Sequence, residues 1–244
     1  MAVLADFTSR RGITFPLLSD AGSEVIKRYG ILNTTVSPTG TTYGIPFPGT
    51  FFLDANGVVA SRHFEAAYQE RDTITSVLAK RGAKLARPAK TIAAPHLMLT
   101  TYLTDDVAAP GTHFSAVIEG APGPRVHVYA PGVAGYKPIA IGVQPQPGLV
   151  VRDAQYPKSE DYFFKPLDEH VPVYQRPFRI AQDLEIDPSP QAVEALKDRR
   201  EMTIEATVAY QACDDKICFT PQSVPLTWTI ALRPLDRERA SPRP

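Results

Sequence analysis

Cys213 and Cys218, set in Tyr-Gln-Ala-Cys-Asp-Asp-Lys-Ile-Cys-Phe-Thr-Pro, are the only thiols in a chain of 244 residues. Residues 203–210 alternate apolar and polar side chains, as a half-buried strand does, and residues 226–232 alternate again. A hairpin bend between these runs brings the two cysteines opposite each other. Opposed residues of antiparallel strands have Cα atoms roughly 4.5–5.5 Å apart, within disulfide reach. A bridge closing about six residues contributes only about 2 kcal/mol in the chain-entropy account, a poor staple for a protein of this length. Lys216 favours a thiolate nearby, and Asp214 and Asp215 oppose it. Two soft thiolates also suit Cu(I). Zinc needs about four ligands, whereas the histidines (His63, His96, His113, His127, His170) are scattered singly, so no metal site of that kind is expected. On local chemistry a passive bridge, a redox-active pair and a Cu(I) site all stay open.

The elements that must position this pair are short strands punctuated by Pro and Gly. Alternating or apolar runs fall at 97–103, 113–119, 125–129, 139–143, 149–151, 171–174 and 178–180, ahead of the two that flank the cysteines. Such spacing predicts an antiparallel β-sandwich, with one helical interruption at 190–200. The 24 prolines agree with a fold rich in turns and edge strands. The first eighty residues read differently. A short helix carries Leu4, Phe7 and Thr8 and stops near Gly12; residues 21–29 form a second helix, capped by Ser19 or Asp20. Residues 50–54 and 58–60 make a hairpin around Asn56-Gly57, and 71–81 make an amphipathic helix with Ile74, Val77 and Leu78 inward.

These patterns predict four segments: 1–82, a linker at 83–95 rich in Lys, Arg, Ala and Pro, a β-sandwich at 96–233, and a polar, disordered tail at 234–244. The formal net charge is zero, which argues against nucleic acid as a partner. No apolar run is long enough for a membrane span. Met1 to Phe7 meets a charge at Asp6 and lacks a basic start, so it does not read as a signal peptide. No phosphate-binding glycine loop, Gly-x-Ser-x-Gly elbow or His-Glu-x-x-His pattern is present, and no cofactor is expected.

Tyr210-Gln211-Ala212-Cys213 followed by Cys218-Phe219-Thr220-Pro221-Gln222 resembles the active-site hairpin of the N-terminal periplasmic domain of the thiol:disulfide interchange protein DsbD family. Tyr156-Pro157 and Val173-Tyr174 are similar to that family too, and the resemblance covers about residues 95–232. It implies an immunoglobulin-like sandwich that passes electrons to or from partner disulfides, the partner being a thioredoxin-like protein or a membrane electron donor. Cys218 would then form the mixed disulfide and Cys213 would resolve it, with Tyr210, Gln211 and Pro221 in support. A cap loop would fall around Phe164, Leu167 and His170, although Leu167-Asp168-Glu169-His170 departs from the family's cap and Gln222 replaces its Glu. The periplasm is the compartment the resemblance implies.

Ile13-Thr14-Phe15-Pro16-Leu17-Leu18-Ser19-Asp20, Tyr29-Gly30 and Pro48 to Gly57 resemble the second half of the AhpC/TSA–redoxin group of thioredoxin-like proteins. Residues 1–82 are thus expected to be an α+β, partial thioredoxin-like segment without its active-site half, as from a truncated or mis-started reading frame. With no cysteine before position 213, peroxidase activity is not expected of this chain alone. Pro48 takes the place where that group has either a peroxide-polarising arginine or the cis-proline of thiol-exchange proteins, so Pro48 is a candidate cis-proline.

Overall fold

The computed structural model describes residues 2–40, 43–64, 71–165 and 168–234. They fall into two compact units, one ending at residue 64 and one starting at residue 71. The polar tail from residue 235 and Leu167 lie outside the described residues.

The first unit holds α1 (Ala2–Arg11), α2 (Glu24–Arg28), β1 (Gly49–Leu53) and β2 (Val59–Phe64). Gly12, at φ 60°, ends α1. The second helix begins later than residue 21, with Ser23 at the N-cap position making no side-chain cap bond. The Asp20 carboxylate serves its first turn instead, accepting from Glu24 N and Ile26 N, both at 2.9 Å. The β1–β2 hairpin turns on Asp54, whose Oδ1 accepts from Asn56 N and Val58 N, with Gly57 at φ 79°. Phe51 packs edge-on against Tyr29 and Phe64. Pro48 is corrected by the backbone: the described residues contain no cis peptide bond. Phe47 donates to Ile31 O in extended pairing, and the trans form, favoured by default, serves there.

The second unit is mostly β-sheet. Its main sheet runs β10 (Leu149–Gln155), β13 (Phe178–Ile186), β7 (Thr112–Pro122), β5 (Leu97–Leu103), β4 (Lys90–Ala94), all antiparallel, with the short β3 (Arg71–Asp72) parallel to β7. A second sheet orders β6 (Val107–Ala108), β16 (Gln222–Leu232), β14 (Glu201–Tyr210) and β9 (Ala140–Val143). A third orders β11 (Glu160–Phe164), β12 (Glu169–Tyr174), β8 (His127–Tyr129) and β15 (Ala212–Cys213). The first two share one core. Leu97, Leu99, Phe114, Ile118, Ile180 and Leu184 meet Met202, Ile204, Val208, Leu226, Trp228 and Ile230. Strand alternation produces this, since every second residue of β14 is buried. Across the layers Trp228 Nε1 donates to Thr101 Oγ1 at 3.0 Å, which satisfies the one polar atom of a buried indole.

Two elements depart from the boundaries read in the sequence. Residues 90–94, within the expected linker, form edge strand β4 on β5. The helix expected at 71–81 is α3 (Ile74–Lys80) and lies in the second unit, where Thr73 Oγ1 caps Ser76 N. Its buried face is Ser76, Val77 and Ala79, while Ile74 is exposed. Ser76 Oγ lies 2.7 Å from Ser115 Oγ, and this bond to β7 turns Ile74 outward. The expected helix at 190–200 is α4 (Pro190–Leu196), capped by Ser189 with Pro190 in its first turn.

Candidate functional site

Strands β14 and β16 run as a ladder of ten pairs from Glu201↔Ala231 to Tyr210↔Gln222. At Gln211 the chain leaves that sheet. Ala212 and Cys213 pair instead with Val128 and His127 of β8. A tight turn follows: Asp214 N donates to Ile217 O, and Asp214 Oδ1 accepts from Lys216 N and Ile217 N at 2.8 Å. Those two amides hold the Asp214 carboxyl below its ordinary range. Phe219 N then donates to Ala212 O, closing the hairpin.

Cys213 and Cys218 form a disulfide with Cα atoms 4.1 Å apart. Its two ends differ in access. Cys213 is 1 % exposed and packs with Tyr129, Val171 and Val173, whereas Cys218 is exposed beside Ile217. The Tyr129 hydroxyl sits over the bond, 3.3 Å from Cys213 Sγ and 3.4 Å from Cys218 Sγ. Burial drives the Tyr129 phenol well above the usual tyrosine range, so it stays protonated. His127 is also buried. Desolvation holds its imidazole below the usual range, partly offset by the carboxylates of Asp215 and Asp214.

The supporting residues named from sequence take distinct places. Tyr210 is fully buried and donates to Pro95 O at 2.7 Å, its phenol pushed by burial up to about 12. Gln211 Nε2 donates to Phe219 O and Gln211 Oε1 accepts from Lys137 N, so one amide joins both arms of the hairpin to the 131–139 loop. Pro221 is exposed and leads into β16. Phe219 stacks on His96 with ring centroids 3.6 Å apart. Of the candidate cap residues, Phe164 lies opposite Glu169 in the β11–β12 register. His170 is exposed, with Nδ1 2.6 Å from Asp161 Oδ2.

Sequence reading did not single out Tyr129, Tyr136, Tyr162 or His127. Tyr162, on β11, donates to Asp215 Oδ1 at 3.1 Å and lies 4.5 Å, ring to ring, from His127. Tyr136 stacks on Tyr129 at 4.2 Å and donates to Glu169 Oε1. Four aromatic residues thus converge on the cysteine turn from β8, β11 and the 131–139 loop. The available signal was weak: Tyr129 alternates with His127 on β8, but its contact with Cys213 spans 84 positions. Among the described residues no group of three or more His, Cys, Asp or Glu side chains is placed to hold a metal ion, and no helix is long and apolar enough to cross a membrane.

The family model described as the AhpC/TSA family matches residues 1–62. No curated protein matches the chain. Among solved structures, the reduced N-terminal domain of Neisseria meningitidis DsbD is 14% identical over 48% of this chain and 81% of its own, with a TM-score of 0.33. The N-terminal periplasmic domain of ScsB from Proteus mirabilis is 15% identical over 56% of this chain, with a TM-score of 0.39, and this chain spans 49% of its length. A complex of the DsbD and PilB N-terminal domains from Neisseria meningitidis is 10% identical over 46% of this chain and 73% of the matched one, with a TM-score of 0.33.

Proposed function

We propose that this chain is a thiol–disulfide exchange protein whose immunoglobulin-like sandwich presents the Cys213/Cys218 pair to a partner disulfide or dithiol. The observation that carries the reading is the unequal access of the two sulfurs: Cys218 is exposed at the turn and Cys213 is 1 % exposed beneath it. Exchange requires in-line attack of a thiolate on one sulfur while the other leaves. A protein thiolate reaches Cys218 Sγ from solvent, forms the mixed disulfide there, and displaces Cys213 as the leaving thiolate. Run backwards, Cys218 attacks a partner disulfide and Cys213 resolves the intermediate. The motif from Tyr210 to Gln222 supports the same assignment. Both cysteines lie in this hairpin, so all thiol chemistry of the chain belongs to it.

The partner is a redox protein of thioredoxin-like kind or a membrane electron donor, and the compartment is the periplasm, where such pairs exist as disulfides. The test is reduction of a protein disulfide by the pre-reduced chain, with Cys213→Ser and Cys218→Ser compared. Cys213→Ser should trap a mixed disulfide and Cys218→Ser should not; full exchange by both single variants refutes the proposal. A reduction potential far below about −300 mV would instead mark an inert bridge in a binding module. Copper titration of the reduced protein decides whether that module takes Cu(I).

A further inference from the structure

We propose that Tyr129, Tyr136 and Glu169 form a proton relay that serves the buried sulfur of Cys213. The inference rests on the exchange reading above and adds to it the path of the proton. Exchange makes Cys213 alternate between thiol and thiolate, yet it is 1 % exposed and packed under aromatic and branched side chains. A thiolate in such a place is costly, so its proton must arrive and leave with the chemistry.

The geometry supplies a route. The Tyr129 oxygen stands 3.3 Å from Cys213 Sγ. The ring of Tyr136 is stacked on that of Tyr129 at 4.2 Å with an interplanar angle of 19°, and the two phenols interact. Tyr136 in turn donates to Glu169 Oε1, and Glu169 is half-buried at the start of β12, where water reaches it. Neither end of the chain is loosely held. Gln211 binds Lys137 N, next to Tyr136, and Glu169 pairs with Phe164 across the β11–β12 hairpin. The raised pKa of Tyr129 fits a conduit: a phenol that resists ionisation passes a proton on without storing charge.

In the direction of substrate reduction, Cys218 has already attacked the partner disulfide and released one partner thiolate. The Cys213 S–H proton then moves to the Tyr129 oxygen, the Tyr129 proton to the Tyr136 oxygen, and the Tyr136 proton to the Glu169 carboxylate. Each tyrosine ends with one proton, and Glu169 gives its own to water. The Cys213 thiolate attacks Cys218 Sγ; the Cys213–Cys218 bond forms, the Cys218–partner bond breaks, and the electron pair leaves on the second partner thiolate. Two electrons pass from the chain to the partner.

Dithiobis-nitrobenzoate separates the two halves, because Cys218 attack releases the first coloured thiolate and Cys213 resolution the second. The pre-reduced full chain is mixed with it in stopped flow, in light and heavy water, as wild type, Tyr136→Phe, Glu169→Gln and His127→Phe. Both relay variants should slow the second release by about 100-fold or more, a general acid–base effect, and leave the first within about twofold. The solvent isotope effect on the second release should change in both, which a packing defect alone does not produce. Glu169→Gln keeps shape and hydrogen bonding, so it decides the matter if Tyr136→Phe folds poorly. An unchanged second release in Glu169→Gln overturns the relay, as does equal slowing of both releases. Slowing confined to His127→Phe assigns the proton to the imidazole and also overturns it. Absence of any second release from the wild type sinks the exchange reading itself, a result distinct from failure of the relay.

Discussion

Tyr210→Phe separates the structural from the chemical role of the hairpin's leading tyrosine. The ring is 0 % exposed and sits in the common core, so phenylalanine keeps all of its apolar packing. What is lost is a single hydrogen bond, 2.7 Å from the hydroxyl to Pro95 O. A neutral hydrogen bond contributes a net of about 0.5–1.5 kcal/mol, and a partner left unpaired in the interior costs more. Pro95 is exposed, so its carbonyl regains water and the loss falls at the lower end, about 0.5–1 kcal/mol. For a protein of this size that is a fall in Tm of about 1–4 °C. Tyr210→Ala also empties the ring's volume and should cost about 3–5 kcal/mol. The assay is thermal and urea unfolding of the oxidised proteins, with rates of disulfide exchange measured well below the transition. Tyr210→Phe is expected to exchange at the wild-type rate, because the hydroxyl is spent on the backbone near β5. A loss of stability as large as that of Tyr210→Ala refutes the packing argument. A normal Tm with exchange slowed more than about tenfold refutes the structural role, since catalytic proton transfer has effects of that size or larger.

Thr101→Val preserves shape but leaves the Trp228 N–H unpaired between the sheets, and urea unfolding should show a loss of about 1–3 kcal/mol. His127 has a folded-state pKa below its unfolded value, so the unfolded chain binds the extra proton and native stability falls as pH drops below about 6.5. His127→Phe should remove that part of the slope; unfolding curves at mildly acidic and neutral pH that differ equally in both proteins count against it. Asp214 has a depressed folded pKa, so the order it lends to the turn is present above about pH 3.9 and is lost as pH falls through the lower folded value. Hydrogen exchange at Lys216 and Ile217 should therefore quicken in Asp214→Ala at neutral pH, and an unchanged rate would show that the carboxylate does not hold those amides. A fragment of residues 71–234 should unfold cooperatively. One starting at residue 96 should be weaker by at least about 2 kcal/mol, having lost β4 and the buried Val77 of α3, and equal urea midpoints would contradict this.

The elements legible in the sequence are those whose burial follows strand alternation. Met202, Ile204, Ala206 and Val208 all face the core of β14, and the pattern can be read directly from the letters. Strand β4 was hidden because it is an edge: Lys90-Thr91-Ile92-Ala93-Ala94 offers one large apolar side chain and looks like a linker. Strand β11 opens on Glu160-Asp161, and β15 is two residues long, so neither carries a periodic signal. The face of α3 was misread at Ile74 because buried Ser76 and Ser115 form the contact, and hydropathy gives serine no such weight. At the site, the cysteine spacing announced the disulfide, and the letters around it announced the hairpin. The tyrosines above it did not show, since Tyr129 and Tyr162 reach the turn through the pairing of a separate sheet and Tyr136 through the 131–139 loop.

The change of sheet at Gln211 has a mechanical consequence. The chain enters the cysteine turn from Tyr210 and returns at Gln222, and these two residues are themselves paired as the last rung of the β14–β16 ladder. That rung works as a bulkhead. Everything beyond it, the disulfide included, is an excursion onto the two-residue strand β15 against β8. Opening the sulfur–sulfur bond slackens the excursion without unseating any of the ten rungs that support the core. Under the proposed exchange, the part that changes its covalent state is thereby kept apart from the ladder that holds the core.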